Sequence, residues 1–573
     1  MAYRTVEYAM TDRPWLAHYD AGVPHAINVP LIALPELLAQ AAQDFPAAPA
    51  LLFYGTTISY AELDTLAWRF ASALVRAGVT PGERVALVLP NTPQAVICFY
   101  GALRAGATVV LANPLHEAGA LIRQVEDAQA ASIVALSMFH PLIIQARERV
   151  PFARVIYTNL KEYLPGTQRR LFTLLRQERE GHRVPDAEAD RSLWLARMLE
   201  EARQLEPATS ACPPLAPNQP AVILYTGGTT GEAKGVLHTH ASLVANALQT
   251  RAWVPDLRRG RERVLCALPF SHAYGMTACM NFAIALAAAM ILLPTFETEN
   301  VLHATRRDRP TVFPGVPPMY AALTDVKGVR DYGLASLRAC LSGAAPLPIE
   351  VQEGFERITR ARLVEGYGLT EAGPVTHVNP VAGAHRHGFI GLPLPSTEAK
   401  IVDMASGADL PPGQIGELLV RGPQLMQGYW NRPAETAEAI TLEGWLRTGD
   451  LARMDADGFF QVIERKKEMI VAGRFNIYPR DVEEVLYEHP KVLEAAVAGV
   501  PSGAAGASDV KAFVVLRQGE SATAEEIIQF LRERISSYKL PTAVEFRAAL
   551  PRSFIGKVLR RVLVEGEQAP EGD

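Results

Sequence analysis

The sequence predicts an α/β chain with mostly parallel sheets, a β-rich stretch after residue 399 and a compact α+β unit at the end. Three observations predict this. Between about Ile58 and Pro346, apolar residues at helical spacing alternate with short strand-like runs, the pattern of strand–helix layering. From Ala399 the texture changes to strand-like runs around Pro/Gly and Asp-Gly turns. Beyond about Lys467, a stretch of roughly 105 residues carries helices and strands of its own, enough for a separate core.

Taken in order, SYAELDTLAWRFASALVRAG (59–78) reads as a helix and RVALVLP (84–90) as a strand; AVICFYGALRAGATVVLANP (95–114) repeats helix, Gly turn, strand. QPAVILYTGG, RVLCALPF, AMILLPTF, PTVFPGVPP and RACLSGAAP supply further strands. In the last unit RDVEEVLYEHP is a short helix stopped by Pro490, VLEAAVAGV, KAFVVL and AVEF are strands, and AEEIIQFLRERI sets Ile527, Ile528, Leu531 and Ile535 on one helical face. The charged ERKKE (464–468) suits an exposed boundary. Residues 161–202 mix Arg, Leu and Phe; a surface helix or irregular insertion and a basic amphipathic membrane contact both remain open.

Composition narrows the function. The 573 residues are 49 % hydrophobic and 20 % charged, and the net charge of −5 offers no global basic field for nucleic acid. Five cysteines without a CxxC pair or clustered histidines argue against a disulfide scaffold and a structural zinc site, so a reducing cytosol is the simplest compartment. Cys98, Cys266 and Cys279 lie in apolar runs and read as buried space-fillers. No basic-then-apolar signal opens the chain, and the longest apolar run, Ala278–Leu293, is too short for a membrane span and carries Asn281.

The strongest chemical signal is LYTGGTTGEAKGVLHTH (224–240). Four glycines, three threonines and Lys234 fall within 226–235, directly after an apolar strand. Glycines let backbone N–H groups turn toward an anion, Thr hydroxyls add donors or a metal ligand, and Lys234 adds a point charge for phosphate. The Walker A spacing is absent.

This loop resembles the phosphate loop of adenylate-forming enzymes, the group that holds acyl-CoA synthetases, luciferases and peptide-synthetase adenylation domains. LPFSHAYGMT (268–277), EGYGLTEA (365–372), GELLVRGPQLMQGYW, GWLRTGDLA, ERKKEMIVAGRFNIYP and PRSFIGKVLRR resemble the family's other motifs in the family's order, and the likeness covers nearly the whole chain. The resemblance implies a large N-terminal part (1–465) of two α/β subdomains plus a small β-barrel-like one (about 399–465). A mobile C-terminal domain (466–573) follows.

It also implies site residues. Thr226, Gly227, Gly228, Thr229, Thr230, Gly231 and Lys234 would cradle the phosphates of ATP, with Gly343, Ala344, Ala345, Glu365, Gly366, Tyr367, Gly368 and Thr370 completing the nucleotide site. Tyr367 offers a face for the purine and Thr370 a hydroxyl for the α-phosphate. Glu371 is a hard oxygen ligand suited to Mg2+, aided by Thr226 in preference to Thr229. Asp450 and Arg465 resemble the ribose-binding pair, and Lys467 falls at the hinge. Lys557 would neutralise the carboxylate and the α-phosphate as two anions meet. His272 matches the position beside the acyl carboxylate.

The implied reaction joins a carboxylic acid to AMP and then to a thiol, with ATP, Mg2+ and coenzyme A taking part and pyrophosphate and AMP released. TGGTTGxAKG, RPWLAHYDAGVPHAI and EGHRVP resemble the bacterial long-chain fatty-acid–CoA ligases, so a medium- or long-chain fatty acid is the expected acid, with an aromatic or short branched acid as the alternative. A non-catalytic acyl or nucleotide sensor is the remote one. Arg474 replaces a Gly that many relatives carry and bears on the thioester step. The expected setting is cytoplasmic, with a homodimer and a peripheral contact at the inner face of the membrane left open.

Overall fold

The computed structural model describes residues 3–4, 13–113, 118–185, 192–204, 212–226, 233–472, 475–501, 508–552 and 558–565. The chain divides into two compact units. The first comprises residues 1–226, 233–398 and 421–446; the second comprises 227–232, 399–420 and 447–573.

The first unit is built on two large sheets. In the eight-stranded sheet Pro220–Tyr225, Thr108–Leu111, Arg84–Val88, Ser132–Leu136, Arg154–Thr158 and Leu193–Trp194 run parallel, and Gly235–Thr239 and Gly428–Tyr429 add antiparallel strands at one edge. In the nine-stranded sheet the parallel strands are Arg362–Gly368, Ala339–Ser342, Val312–Gly315, Arg263–Cys266, Ala289–Leu292 and Pro49–Phe53. Parallel strands need crossover helices, which cover the sheet faces and explain the nearly continuous apolar runs.

Those helices form where the 3.6-residue pattern predicts. Tyr60–Arg76 opens with a capping box in which Ser59 Oγ accepts from the Glu62 N–H and the Glu62 carboxylate accepts from the Ser59 N–H. Pro93–Arg104 is buried on nearly all sides and packs on Tyr60–Arg76; a Cβ on Gly101 would lie 2.8 Å from the Ala67 carbonyl oxygen, so only glycine allows that approach. These helices join Leu34, Phe70, Tyr100 and Ile291 in one core. The run Ala278–Leu293 lies in the same core, and among the described residues no helix is long and apolar enough to cross a membrane. Cys98, Cys266 and Cys279 are buried, as expected, and so is Cys340.

The insertion forms a surface helix, Gly166–Leu175, and then the edge strand Leu193–Trp194 and the helix Leu195–Glu201.

In the second unit Glu398–Val402, Gly416–Arg421, Leu446–Met454 and Phe460–Arg465 make a four-stranded sheet of linear order where the sequence reading expects a barrel-like subdomain. Its Asp-Gly turn is present, with Gly458 at φ 86°. The C-terminal residues form a three-stranded sheet of Val492–Pro501, Ser508–Leu516 and Ala543–Phe546, packed with the helices Pro479–Tyr487 and Ala524–Arg532. Ile527 and Leu531 are buried as predicted; the helix stops at Arg532, so Ile535 reaches the same core from beyond its end.

Candidate active site

In open parallel sheets, ligands bind beyond the carboxyl ends of the strands. Most predicted site residues of the first unit stand there. Strand Pro220–Tyr225 leads into the predicted phosphate loop, whose neck is closed by Gly235–Thr239. The Thr226 N–H donates to the Lys234 carbonyl (3.0 Å), and the Lys234 N–H donates to Thr226 Oγ1 (3.4 Å). Gly227, Gly228, Thr229, Thr230 and Gly231 lie outside the described residues. In the other sheet, Gly315, Ser342 and Glu365 are register partners at the same end, and the strand Arg263–Cys266 leads toward His272.

Tyr429 links the two sets. Its Oη donates to Glu371 Oε1 at 2.9 Å, and Lys234 Nζ lies 5.0 Å from its ring centroid. Burial, with the Glu371 carboxylate alongside, raises the Tyr429 phenol, so it stays a donor. Lys234 Nζ also pairs with Glu435. The predicted phosphate lysine and the predicted metal carboxylate therefore meet on one aromatic ring.

The Thr370–Ala372 turn that presents Glu371 is pinned from beneath. His238 is fully buried, and its Nε2 is 2.7 Å from the Thr370 carbonyl oxygen. A carbonyl can only accept, so Nε2 carries the proton; burial lowers the imidazole to about 4 and keeps it neutral. Thr277 Oγ1 donates to the Gly373 carbonyl (2.6 Å) and the Met426 N–H to the Glu371 carbonyl (2.8 Å). A Cβ on Gly368 would fall 2.1 Å from the Pro374 backbone oxygen, so that glycine is sterically required; one on Gly366 would lie 2.7 Å from Leu341 Cδ1, a side-chain end that would have to shift to admit it.

Thr277 belongs to a seven-residue π-helical stretch, Gly275–Asn281. Such wide turns often mark functional sites. His272, just before it, accepts the Tyr274 N–H at Nδ1 (3.2 Å). Tyr274 donates to the Leu341 carbonyl (2.7 Å), and its ring would be 3.1 Å from a Cβ on Gly343. His272 and the 343–345 loop are thus neighbours through Tyr274. Ala344 holds φ +68°, a left-handed conformation unfavourable for alanine by about 1 kcal/mol. The Glu365 carboxylate takes the Leu347 N–H (3.3 Å), and the Tyr367 ring packs edge-on against His377 (5.9 Å).

In the second unit Asp450 and Arg465 are cross-strand partners. Arg465 Nε lies 3.0 Å from Asp450 Oδ1, and the Asp450 side chain is only 3 % exposed. Lys467 is exposed on the turn after Phe460–Arg465. The ERKKE stretch is not uniformly solvated: Glu464 and Glu468 turn inward to Arg560, which also grips Glu483 at 2.9 Å. Lys557 and Arg474 lie outside the described residues.

Thr226 and Glu371 offer one hydroxyl and one carboxylate. Among the described residues no group of three or more His, Cys, Asp or Glu could hold a metal by itself. That sparse set fits Mg2+, which keeps waters and substrate phosphates in its shell.

Residues 38–430 match the AMP-binding enzyme family, and residues 481–557 match the AMP-binding enzyme C-terminal domain. The chain belongs to the AMP-binding enzyme family. This AMP-binding enzyme is 43 % identical to a long-chain-fatty-acid–CoA ligase of Bacillus subtilis, over 97 % of this chain and 98 % of that one. It is 37 % identical to the protein of that name from Escherichia coli O157:H7, over 96 % and 97 %. Among solved structures it resembles ATP-bound MatB of Rhodopseudomonas palustris, at 28 % identity, TM-score 0.80 and coverage of 94 % and 99 %.

Two side chains of the candidate site were not singled out by the sequence reading, Tyr429 and His238. Both sit inside quoted motifs, MQGYW and LHTH, but only the folded pairing shows what they touch.

Proposed function

We propose that this enzyme activates a medium- or long-chain fatty acid with ATP, first to acyl-AMP and then to acyl-CoA. The observation that carries the reading is the meeting of Lys234 and Glu371 on Tyr429 at the carboxyl ends of the parallel strands. A cation for phosphate and a hard ligand for their counter-ion are what an incoming triphosphate needs on one side of a site. The relatives that share nearly the full length of the chain are named for long-chain fatty acids, which favours that acid over an aromatic one.

In the first step a carboxylate oxygen attacks the α-phosphorus, and the bond to pyrophosphate breaks. Lys234 and the loop's backbone N–H groups hold the departing phosphates, Thr370 orients the α-phosphate, and Tyr367 lies along the purine. Glu371 and Thr226 would hold Mg2+, which neutralises phosphate charge when bound. His272, beside Tyr274 and Gly343, faces the acid. Asp450, with Arg465 beside it, accepts from the ribose hydroxyls. Lys557 balances the charge as the carboxylate and phosphate meet. In the second step the sulfur of coenzyme A attacks the acyl carbonyl and AMP leaves.

Lys467, just after the expected 465/466 boundary, acts as a hinge at which one face of the C-terminal domain is exchanged for another between the steps. The exposed turn at Lys467 supports a pivot there. The enzyme works at an anionic membrane surface through the helix Gly166–Leu175, which leaves Leu171, Leu174 and Leu175 exposed.

The test is pyrophosphate release with Mg·ATP and short, medium and long fatty acids or benzoate, with and without coenzyme A, for the wild type and Lys557→Ala. Acid-dependent release with fatty acids is expected, rising in turnover with coenzyme A and absent in the variant. Preference for benzoate would replace the acid; no release with any acid would remove the reading.

A further inference from the structure

Lys234 ends the phosphate loop, and its backbone is fixed by both hydrogen bonds to Thr226. Its side chain is not fixed by packing. It is 40 % exposed, reaches across the Tyr429 ring and ends on the carboxylate of Glu435, itself 29 % exposed. Glu435 sits in the short helix Pro433–Ala439 and also meets Arg432 Nη1 at 3.2 Å. That helix is locked to Tyr429: Thr436 Oγ1 accepts the Tyr429 N–H (2.9 Å), donates to the Arg432 carbonyl (2.8 Å), and would be 3.0 Å from a Cβ on Gly428. One rigid piece therefore carries both the partner of Glu371 and the counter-ion of Lys234.

We propose that Glu435 is a positioning residue that holds Lys234 in the nucleotide-free enzyme and must surrender it to the phosphates of ATP. The inference rests on the adenylation reading and deepens it. A partly exposed ion pair is weak enough to exchange. A triphosphate brings several negative charges against the single charge of Glu435, so it wins Lys234. When pyrophosphate departs, Glu435 takes the lysine back, which opposes product retention. Neither effect needs Glu435 to touch the nucleotide. Removal of its charge leaves the Tyr429 ring in place to support the ammonium.

The test is Mg·ATP and inorganic pyrophosphate binding to wild type, Glu435→Gln, Lys234→Met and the double variant, with steady-state kinetics of the first two. Glu435→Gln should tighten both ligands two- to fivefold, the scale of one partly exposed pair. The KM for ATP should fall by a similar factor, and kcat should fall where pyrophosphate release limits turnover. In the Lys234→Met background the same substitution should change neither affinity. Unchanged or weaker binding in Glu435→Gln, or a gain that survives without Lys234, overturns the proposal. A wild type that binds no Mg·ATP sinks the adenylation reading and this inference with it; a wild type that binds and adenylates while the cycle shows no coupling sinks this inference alone.

Discussion

At the scale of single residues, the buried histidines set an acid limit. His238, His240 and His377 are neutral because burial lowers them to about 4, about 4 and about 3. In the unfolded chain they titrate near 6.5, so between that value and the lowered one the unfolded state binds more protons. Stability is therefore complete above about pH 6.5 and is lost as pH falls toward 4, by up to roughly 3 kcal/mol for His238. His238→Gln retains an amide donor for the Thr370 carbonyl and cannot titrate. Melting followed from pH 7.5 to 4.5 should show a shallower acid slope in that variant. His238→Ala should flatten the slope equally and also lose about 1–3 kcal/mol at neutral pH, because the carbonyl is left without its donor. An unchanged slope in His238→Gln would mean that the imidazole is not held neutral.

At the scale of elements, the helix Arg560–Glu565 packs Leu563 and Val564 against a small apolar core, and the Arg560 guanidinium at its start pairs with Glu464, Glu468 and Glu483. Burial alone would lower Arg560, but Glu483, Glu464 and Glu468 override it and raise it. Glu464 is itself pushed up by burial. Removing the cation strands three inward-facing carboxylates, and breaking such a pair typically loses about 3–5 kcal/mol. Arg560→Met should thus loosen the Arg560–Glu565 helix and the Pro479–Tyr487 helix, seen as faster amide exchange there, and the defect should shrink toward pH 5 as the carboxylates protonate. Exchange equal to wild type at pH 7 would refute the tie. These elements also show what the sequence could and could not reveal. The strands at 84–88, 108–111, 220–225, 263–266, 289–292, 312–315 and 339–342 were legible because each is a short apolar run beside turn residues, and the strand–loop–lysine order made 226–234 the candidate phosphate loop; Pro49–Phe53, Ser132–Leu136, Arg154–Thr158, Leu193–Trp194 and Arg362–Gly368 were not singled out. The Arg560 cluster was not legible, since ERKKE has the composition of a solvated turn and its partner lies far along the chain. Nor was the π-helical stretch Gly275–Asn281, whose apolar spacing reads as ordinary buried helix. Tyr429 stood in a recognised motif, yet its bond to Glu371 exists only because Gly428–Tyr429 joins the edge of the sheet that carries the loop.

At the scale of the whole molecule, charge and exposure are unevenly shared. The chain is net negative, yet residues 166–185 hold five arginines against two glutamates, and His182 among them is buried and lowered by burial. In the helix Gly166–Leu175 only Phe172 is buried; Leu171, Leu174 and Leu175 are 56 %, 80 % and 60 % exposed and share one face by their spacing. Exposed leucines cost nothing to keep if they insert into lipid, where each is worth about 1.5–3 kcal/mol on full burial, and each arginine near an anionic surface adds about 1 kcal/mol. A long acyl chain also partitions into bilayers, so an enzyme that meets its acid there gains local concentration. Leu171→Ser, Leu174→Ser and Leu175→Ser combined should abolish co-sedimentation with phosphatidylglycerol-containing vesicles, while pyrophosphate release with a soluble medium-chain acid is retained. Wild-type binding should weaken on neutral phosphatidylcholine vesicles and in high salt, because the arginine contribution is screened. Equal sedimentation of wild type and triple variant would assign the exposed leucines no part in lipid contact and leave the helix a solvated surface element.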